Sequence, residues 1–281
     1  MRDVIIVGGG IIGATIARTL GCAGRDVLCL DRHEPYAGTA PSGGHLKPSW
    51  LGMKEEEYKP GMDVLDAAWG LVKQDFRYKG ELTTVFRVDT DLVVSWPGKI
   101  RANVTSIKNV RQYPSVTYVQ QSNLVTTEHT RLLIVAAGIW SADMLSAHGY
   151  HVKLEAKQGV SFRVKHTLAE PFIKEWAPYK QIVAHQQGEQ EVWIGDGTTI
   201  LQKNWRDQRD DECLDRCLTA LSLKQAPYRK LHGFRPTISE KSGICLMDNP
   251  FPRVWVVTGA SKRGTIAAGC AAFKFLSMGD S

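Results

Sequence analysis

Arg235 lies in HGFRPTISEKSG, residues 232–243, between a phenylalanine and a proline. Proline fixes φ at its own position and pushes the preceding residue towards extended backbone, so this guanidinium sits on a pre-set segment. A planar, permanently charged fork held that way suits an anion clamp, and equally a surface ion pair; the stretch alone leaves both open. A second set of residues stands near the other end of the chain. Gly8, Gly10 and Gly13 form GxGxxG, and Asp31 follows 18 residues after Gly13. Such glycines allow a tight turn, close backbone approach to a pyrophosphate and close packing of helix on strand, while the carboxylate can accept from ribose hydroxyls. The pattern predicts a dinucleotide site.

The elements that must hold these residues are legible around them. Val4 to Val7 is a run of four apolar residues suited to a buried parallel strand, a helix follows from Ile11 to about Gly21, and Asp31 ends the next strand. The pyrophosphate then rests on the helix N-terminus, where unpaired N–H groups and the dipole favour negative charge. Near the far end, RVWVVTGASKRGTIAAGCAAFKF reads as a strand over Val254 to Thr258, a glycine turn, and a small-residue helix from about Gly264. That helix lets backbone approach a flat ring and aims its N-terminus at an electron-rich atom. TRLLIVAAGIWSADML supplies a further buried strand ending in Ala-Ala-Gly. RDQRDDECLDRCLTALSL reads as one amphipathic helix with Leu214, Cys217, Leu218 and Leu221 on its apolar side and Asp210, Asp211 and Asp215 largely elsewhere.

The 281 residues, 43% apolar, suffice for a large core in one domain or two interleaved ones. The longest apolar run is the nine residues LLIVAAGIW, well short of the roughly 18 of a membrane span. MRDVIIVGGG enters a strand at once, so a leader is not expected and a cytoplasmic location is. Six cysteines with no CxxC read as reduced thiols, with Cys22, Cys29 and Cys270 in segments expected to be buried, and no metal site is expected. The net charge of +6 is segregated: windows 92–127, 224–239 and 249–279 each carry four Lys or Arg and no Asp or Glu. Clustered cations concentrate polyanions, with Lys224, Arg229 and Lys230 available for phosphates and Tyr228 or Trp205 for base stacking; three solvated faces pointing different ways is the other reading.

Six stretches together resemble the D-amino acid oxidase and glycine oxidase family of FAD enzymes. They are VGGGIIG with Asp31, SGGHL at 42–46, VAAGIWSADML at 135–145, KQGVSFRV at 157–164, GFRP at 233–236 and TGASKRGT at 258–265, in family order along the whole chain. The resemblance implies an α/β fold: a GR2-type, Rossmann-like FAD-binding domain from residues 1–49, 97–149 and 236–281, interleaved with an antiparallel-sheet substrate domain from 150–235 and a shortened substrate or lid segment from 50–96. FAD is expected to bind non-covalently. In the family the GFRP arginine binds the substrate carboxylate, a role that carries over to Arg235, and Lys262 falls where glycine oxidases place a second cation. Ser42, Gly43 and Gly44 are expected to line the isoalloxazine, and Gly264 and Thr265 to offer N–H groups to its negative edge. Arg32, Ala137, Gly138, Trp140, Gly259 and Arg263 complete the expected cofactor contacts.

Two departures bear on substrate. The family's long insertion after SGGHL is replaced by the short stretch from Trp50 to about Trp96, so a less covered site is expected. The family's substrate-domain tyrosine is not evident, and QIVAHQQGEQEVWIGDG offers Gln181 and His185 instead. The resemblance implies an oxidase that breaks the C–N bond of a glycine-type amine with O2 as acceptor, giving glyoxylate, an amine and H2O2. A short, basic chain is similar to oxidase domains that act on glycine carried by thymine in phage DNA, which would leave 5-aminomethyl-deoxyuridine. Free glycine, sarcosine or a D-amino acid is the alternative substrate, and an inactive flavin-, NAD- or nucleic-acid-binding module the alternative class.

Overall fold

The computed structural model describes residues 1–34, 37–47, 52–178, 180–201, 208–238 and 245–278. Trp205 and residues 239–243 of the arginine segment lie outside them. Unbroken apolar runs form the centre of the first sheet. β1 (Arg2–Val7) is flanked by two parallel neighbours, β2 (Val27–Asp31) and β8 (Val125–Val135). Beyond β2 lies β6 (Lys99–Lys108), also parallel; beyond β8 lie parallel β16 (Val254–Thr258) and antiparallel β15 (Leu246–Phe251). β7 (Ser115–Gln120) pairs antiparallel with both β6 and β8. The order reverses at β1, and ligands of open parallel sheets bind at the carboxyl ends of the strands at such a switch point.

One face of this sheet is covered by α1 (Ile11–Cys22) and α6 (Gly264–Ser277), packed on each other through Ile16, Leu20, Ala271 and Phe275. α2 (Glu55–Trp69) lies against α6. Gly61 and Gly269 face each other there with no room for a methyl group on either. α3 (Thr90–Ser95) and α4 (Ser141–Ser146) are short. Cys29 is buried as expected, whereas Cys22 is exposed because α1 turns it outward in its last turn, and Cys270 is half-buried.

The second sheet runs β13 (Thr199–Leu201), β9 (Leu154–Lys165), β12 (Glu191–Gly195), β11 (Lys180–Gly188), β10 (Phe172–Ala177), β4 (Val72–Tyr78), β5 (Glu81–Arg87), β3 (His45–Leu46), with β14 (Tyr228–Ile238) also on β9. Two features differ from the expected antiparallel sheet of residues 150–235. The hairpin β4–β5 and β3 extend it, so much of the segment between Trp50 and Trp96 builds sheet and helix. Moreover β10 and β4 pair in parallel, because a long excursion through the first sheet separates them in the chain.

α5 (Gln208–Ala220) covers the outer face of this sheet, where Cys213, Leu214, Cys217 and Leu218 pack on Phe162, Ile182 and Ile194 as the amphipathic pattern predicts. Asp210 departs from that pattern. It is buried, and Oδ2 accepts from Lys230 Nζ at 3.1 Å and from His232 Nε2 at 2.7 Å, tying α5 to β14. The two sheets meet where β14 passes between them: Phe234 bridges Ala37, and Thr237 bridges Ala260. Arg235 therefore stands at the seam.

Candidate active site

A cavity of about 690 Å³ opens along the seam, within the ~300–1,000 Å³ typical of small-molecule and cofactor sites. One end is built by the β1–α1 turn. Gly8 takes φ +104°, and a Cβ on Gly13 would overlap the Gly8 carbonyl oxygen, so α1 starts hard against β1. Asp31 Oδ2 accepts from Gly9 N at 2.5 Å, which holds the turn closed, and Lys99 Nζ donates to Gly9 O at 3.2 Å from below. Thr39 Oγ1 accepts from Ile11 N at 2.8 Å. Arg32 lines the wall, with its guanidinium 4.9 Å from the centre of the Trp140 ring and 3.0 Å from Glu34.

Two helix N-termini face this one cavity. Neither N-cap residue, Gly10 or Arg263, caps its helix through a side chain and neither helix has an acidic residue in its first turn; in α1 Thr39 takes the Ile11 N–H. The remaining N–H groups carry the positive end of a helix dipole and bind negative charge. The two starts lie side by side, a Cβ on Gly264 being 4.0 Å from Ile11 Cγ2, so the cavity suits a ligand that presents a diphosphate to one helix and an electron-rich edge to the other. Ser42 and Gly43 line it from one side, Ala137, Gly138 and Trp140 from another, and Lys262, Arg263, Gly264 and Thr265 close it at α6. Gly44 and Gly259 do not line it: a Cβ on Gly44 would overlap the Val88 carbonyl oxygen and one on Gly259 would meet Ile238, so both serve close packing behind the wall.

The other end is a patch of sheet with few side chains. Arg235 pairs with Lys157 across β14–β9, and its guanidinium lies over Gly159, where an added Cβ would be 3.1 Å from Cζ. Gly195 and Trp193 extend this floor, and the indole donates to Pro41 O at 3.3 Å. Among the described residues the Arg235 guanidinium has no hydrogen-bond or ion-pair partner. Burial pulls its pKa below the ordinary value, with Asp196 opposing, so an incoming anion relieves an unfavourable state. Lys262 is also held below its ordinary value, first by burial and then by Arg235 and Lys180. Lys180, Trp193 and Gly159 were not singled out from sequence as site residues. Gly159 lies within the quoted KQGV stretch, whereas Lys180 carries no local signal.

Gln181 lines the cavity, but His185 is buried behind Trp193, stacked on it at 5.3 Å and 19°. Gln187 Nε2 donates to Asp89 Oδ1 (3.1 Å) and Asp91 Oδ2 (3.0 Å), so its Oε1 must accept from His185 Nε2 at 2.9 Å. His185 Nδ1 then accepts from His45 Nε2 at 2.9 Å, and each ring is fixed as the neutral Nε2–H tautomer. Burial lowers the His45 pKa to about 3, assisted by Arg87, and carries His185 well below its ordinary value. Both groups have folded pKa values below the unfolded ~6.5, so their stabilisation is full above that pH and is lost as pH falls. Stability is expected to decline as pH falls below ~6.5, by on the order of 1 kcal/mol per pH unit for each histidine. A thermal melting temperature that stays flat from pH 7 to pH 5 would refute this.

The candidate nucleic-acid residues fall elsewhere. Lys224, Arg229 and Lys230 do not line the cavity, and Arg229 and Lys230 stand six and five residues along β14 from Arg235, roughly 17–20 Å away. Lys230 is engaged by Asp210, which removes it from the free charge of that face. Among the described residues no cluster of three or more metal-ligating side chains occurs, and no helix is long and apolar enough to cross a membrane.

The family described as DAO, FAD dependent oxidoreductase, matches residues 3–93 and 97–273. The chain belongs to this family of FAD-dependent oxidoreductases. A glycine oxidase from Geobacillus kaustophilus superposes with a TM-score of 0.71 at 13% identity, covering 98% of this chain and 94% of that one. An iminodiacetate oxidase from Chelativorans sp. BNC1 gives 0.68 at 15%, covering 99% and 96%. An L-proline dehydrogenase from P.horikoshii gives 0.69 at 11%, covering 100% and 94%. At these identities the likeness is one of fold. No curated protein matches the chain. FAD is the cofactor of the family, and two neighbouring helix N-termini opening on one cavity fit it: α1 for the diphosphate, α6 for the flavin's electron-rich edge.

Proposed function

We propose that this family member oxidises the C–N bond of a glycine-type amine, R–NH–CH2–COO⁻, with O2 and water, to R–NH2, glyoxylate and H2O2. The observation that carries the reading is Arg235, partnerless and lying flat over Gly159 in the cavity that α6 also faces. Its guanidinium forks onto the carboxylate and fixes the adjacent carbon, which removes rotational freedom that the reaction would otherwise have to overcome. FAD, when bound, takes up the two electrons of the C–H bond and passes them to O2. The Gly264 and Thr265 N–H groups and the Lys262 ammonium favour negative charge at that end of the cavity. The positive charges of Lys262 and Lys180 also disfavour an ammonium beside them, so the substrate nitrogen binds neutral with its lone pair available.

The substituent R is the finer question. A thymine in DNA draws its support from the acid-free windows of the sequence, but its three candidate contacts lie outside the cavity; a small amine needs only groups inside it. Anaerobic mixing of the flavin-loaded protein with glycine, sarcosine and a duplex bearing glycyl-thymine separates the readings. Bleaching of the oxidised flavin band by the free amines is the expected result. Bleaching by the duplex alone, weakened by salt, would transfer the proposal to DNA. Bound flavin that no amine bleaches would overturn the oxidase reading.

A further inference from the structure

Of the cations that line the cavity, Arg235, Lys262 and Lys180 lie close enough to act on one another. Among the described residues none of them has a carboxylate partner. The acids nearby are already committed. Asp196 accepts from Arg216 Nε at 2.9 Å, from Arg216 Nη2 at 2.7 Å and from Thr198 N at 2.8 Å, and Glu155 lies 3.8 Å from Lys157. Lys180 is positioned rather than loose: its ammonium lies 5.0 Å from the centre of the Trp176 ring, whose other cation is Arg216 at 4.3 Å. Trp176 is itself fixed by donating to Asp196 O at 3.1 Å.

Charges of one sign gathered in a cleft repel one another, and a bound anion relieves the repulsion; Lys180 stands at the exposed rim of the cleft, open to an incoming ligand. Under the proposed function, on which this inference rests, the substrate carboxylate neutralises Arg235, and the electron-rich edge at α6 engages Lys262. Lys180 is left over. We propose that the substrate carries a second anionic group, a carboxylate or a phosphate on the R substituent of the amine, and that Lys180 binds it. Specificity then comes from charge number: a monoanionic amine leaves one cation of the set unmatched, and a dianionic amine matches all three.

The test uses the flavin-loaded protein and three probes: sarcosine, iminodiacetate and N-(phosphonomethyl)glycine. Dissociation constants are read from quenching of tryptophan fluorescence, since Trp193 lines the cavity, and anaerobic flavin bleaching is followed in parallel. At least one dianion is expected to bind ten times more tightly than sarcosine or better, and which one does so distinguishes carboxylate from phosphate chemistry. Lys180→Met is expected to bring the ratio of dissociation constants near one, and Lys180→Arg to keep it; the ratio is an internal control for folding. Bleaching by sarcosine with neither dianion preferred would overturn the second-anion site and leave the oxidase reading intact. Retention of the preference in Lys180→Met would overturn the assignment to Lys180. An absence of bleaching by every amine would remove both.

Discussion

Arg235→Met is expected to lower kcat/KM for any carboxylate-bearing amine by about a hundredfold or more while the protein still purifies with its flavin. A charge-assisted hydrogen bond contributes about 1.5–3 kcal/mol, and a guanidinium fork makes two. At ~1.4 kcal/mol per tenfold, their loss spans roughly 10²–10⁴. Methionine approximates the length of the side chain and keeps the apolar stem over Gly159, so β14 should be undisturbed. Arg235→Lys should recover only part of the rate, because a single ammonium cannot fork. The check is stopped-flow flavin reduction together with flavin content from the visible spectrum. A decrease of less than tenfold with full flavin would mean that the carboxylate is held elsewhere.

Gly13→Val is expected to yield colourless protein with a melting temperature lowered by several degrees. The added atoms overlap the Gly8 carbonyl oxygen and crowd Ile6 Cγ2, so α1 must move off β1. Its N–H groups then leave the position at which a diphosphate would be bound, and the packing of Ile16 and Leu20 against the sheet suffers with them. Gly21→Ala is the matched control. It lies in the same helix with nothing within 4 Å of the new methyl group, and should retain flavin with stability unchanged or raised by about 0.5–1 kcal/mol. Flavin retained at full occupancy in Gly13→Val would show that the close helix–strand contact is not required for the nucleotide site.

The strand–turn–helix half of the cavity was legible because its determinants are local. Gly8, Gly10, Gly13 and Asp31 belong to one strand–helix–strand unit, so their spacing along the chain is also their spacing in space. The same holds for the turn 258–265, where strand, glycine and helix follow without interruption. Asp210 was misread because a helix pattern reports which face is apolar and says nothing about a cation arriving on another strand; only β14 brings Lys230 and His232 to it. The family resemblance puts Gly44 with Ser42 and Gly43 at the isoalloxazine, yet the turn rotates it back onto Val88.

The sequence by itself determined the fold class, the FAD-dependent family and the identity of Arg235 as a cation on an extended segment, since these rest on short-range patterns of glycine, proline and apolar runs. Tertiary structure alone decided what surrounds that arginine. Gly159 beneath it, Lys180 from β11, Trp193 from β12 and Lys262 from the turn before α6 come from distant parts of the chain. The proton positions on His45 and His185 likewise depend on a hydrogen-bonded series that ends at Asp89 and Asp91 on another element. Sheet pairing between remote segments sets these contacts. A local pattern fixes the shape of each strand, but the charge, space and hydrogen bonding at the seam arise only when the strands are assembled.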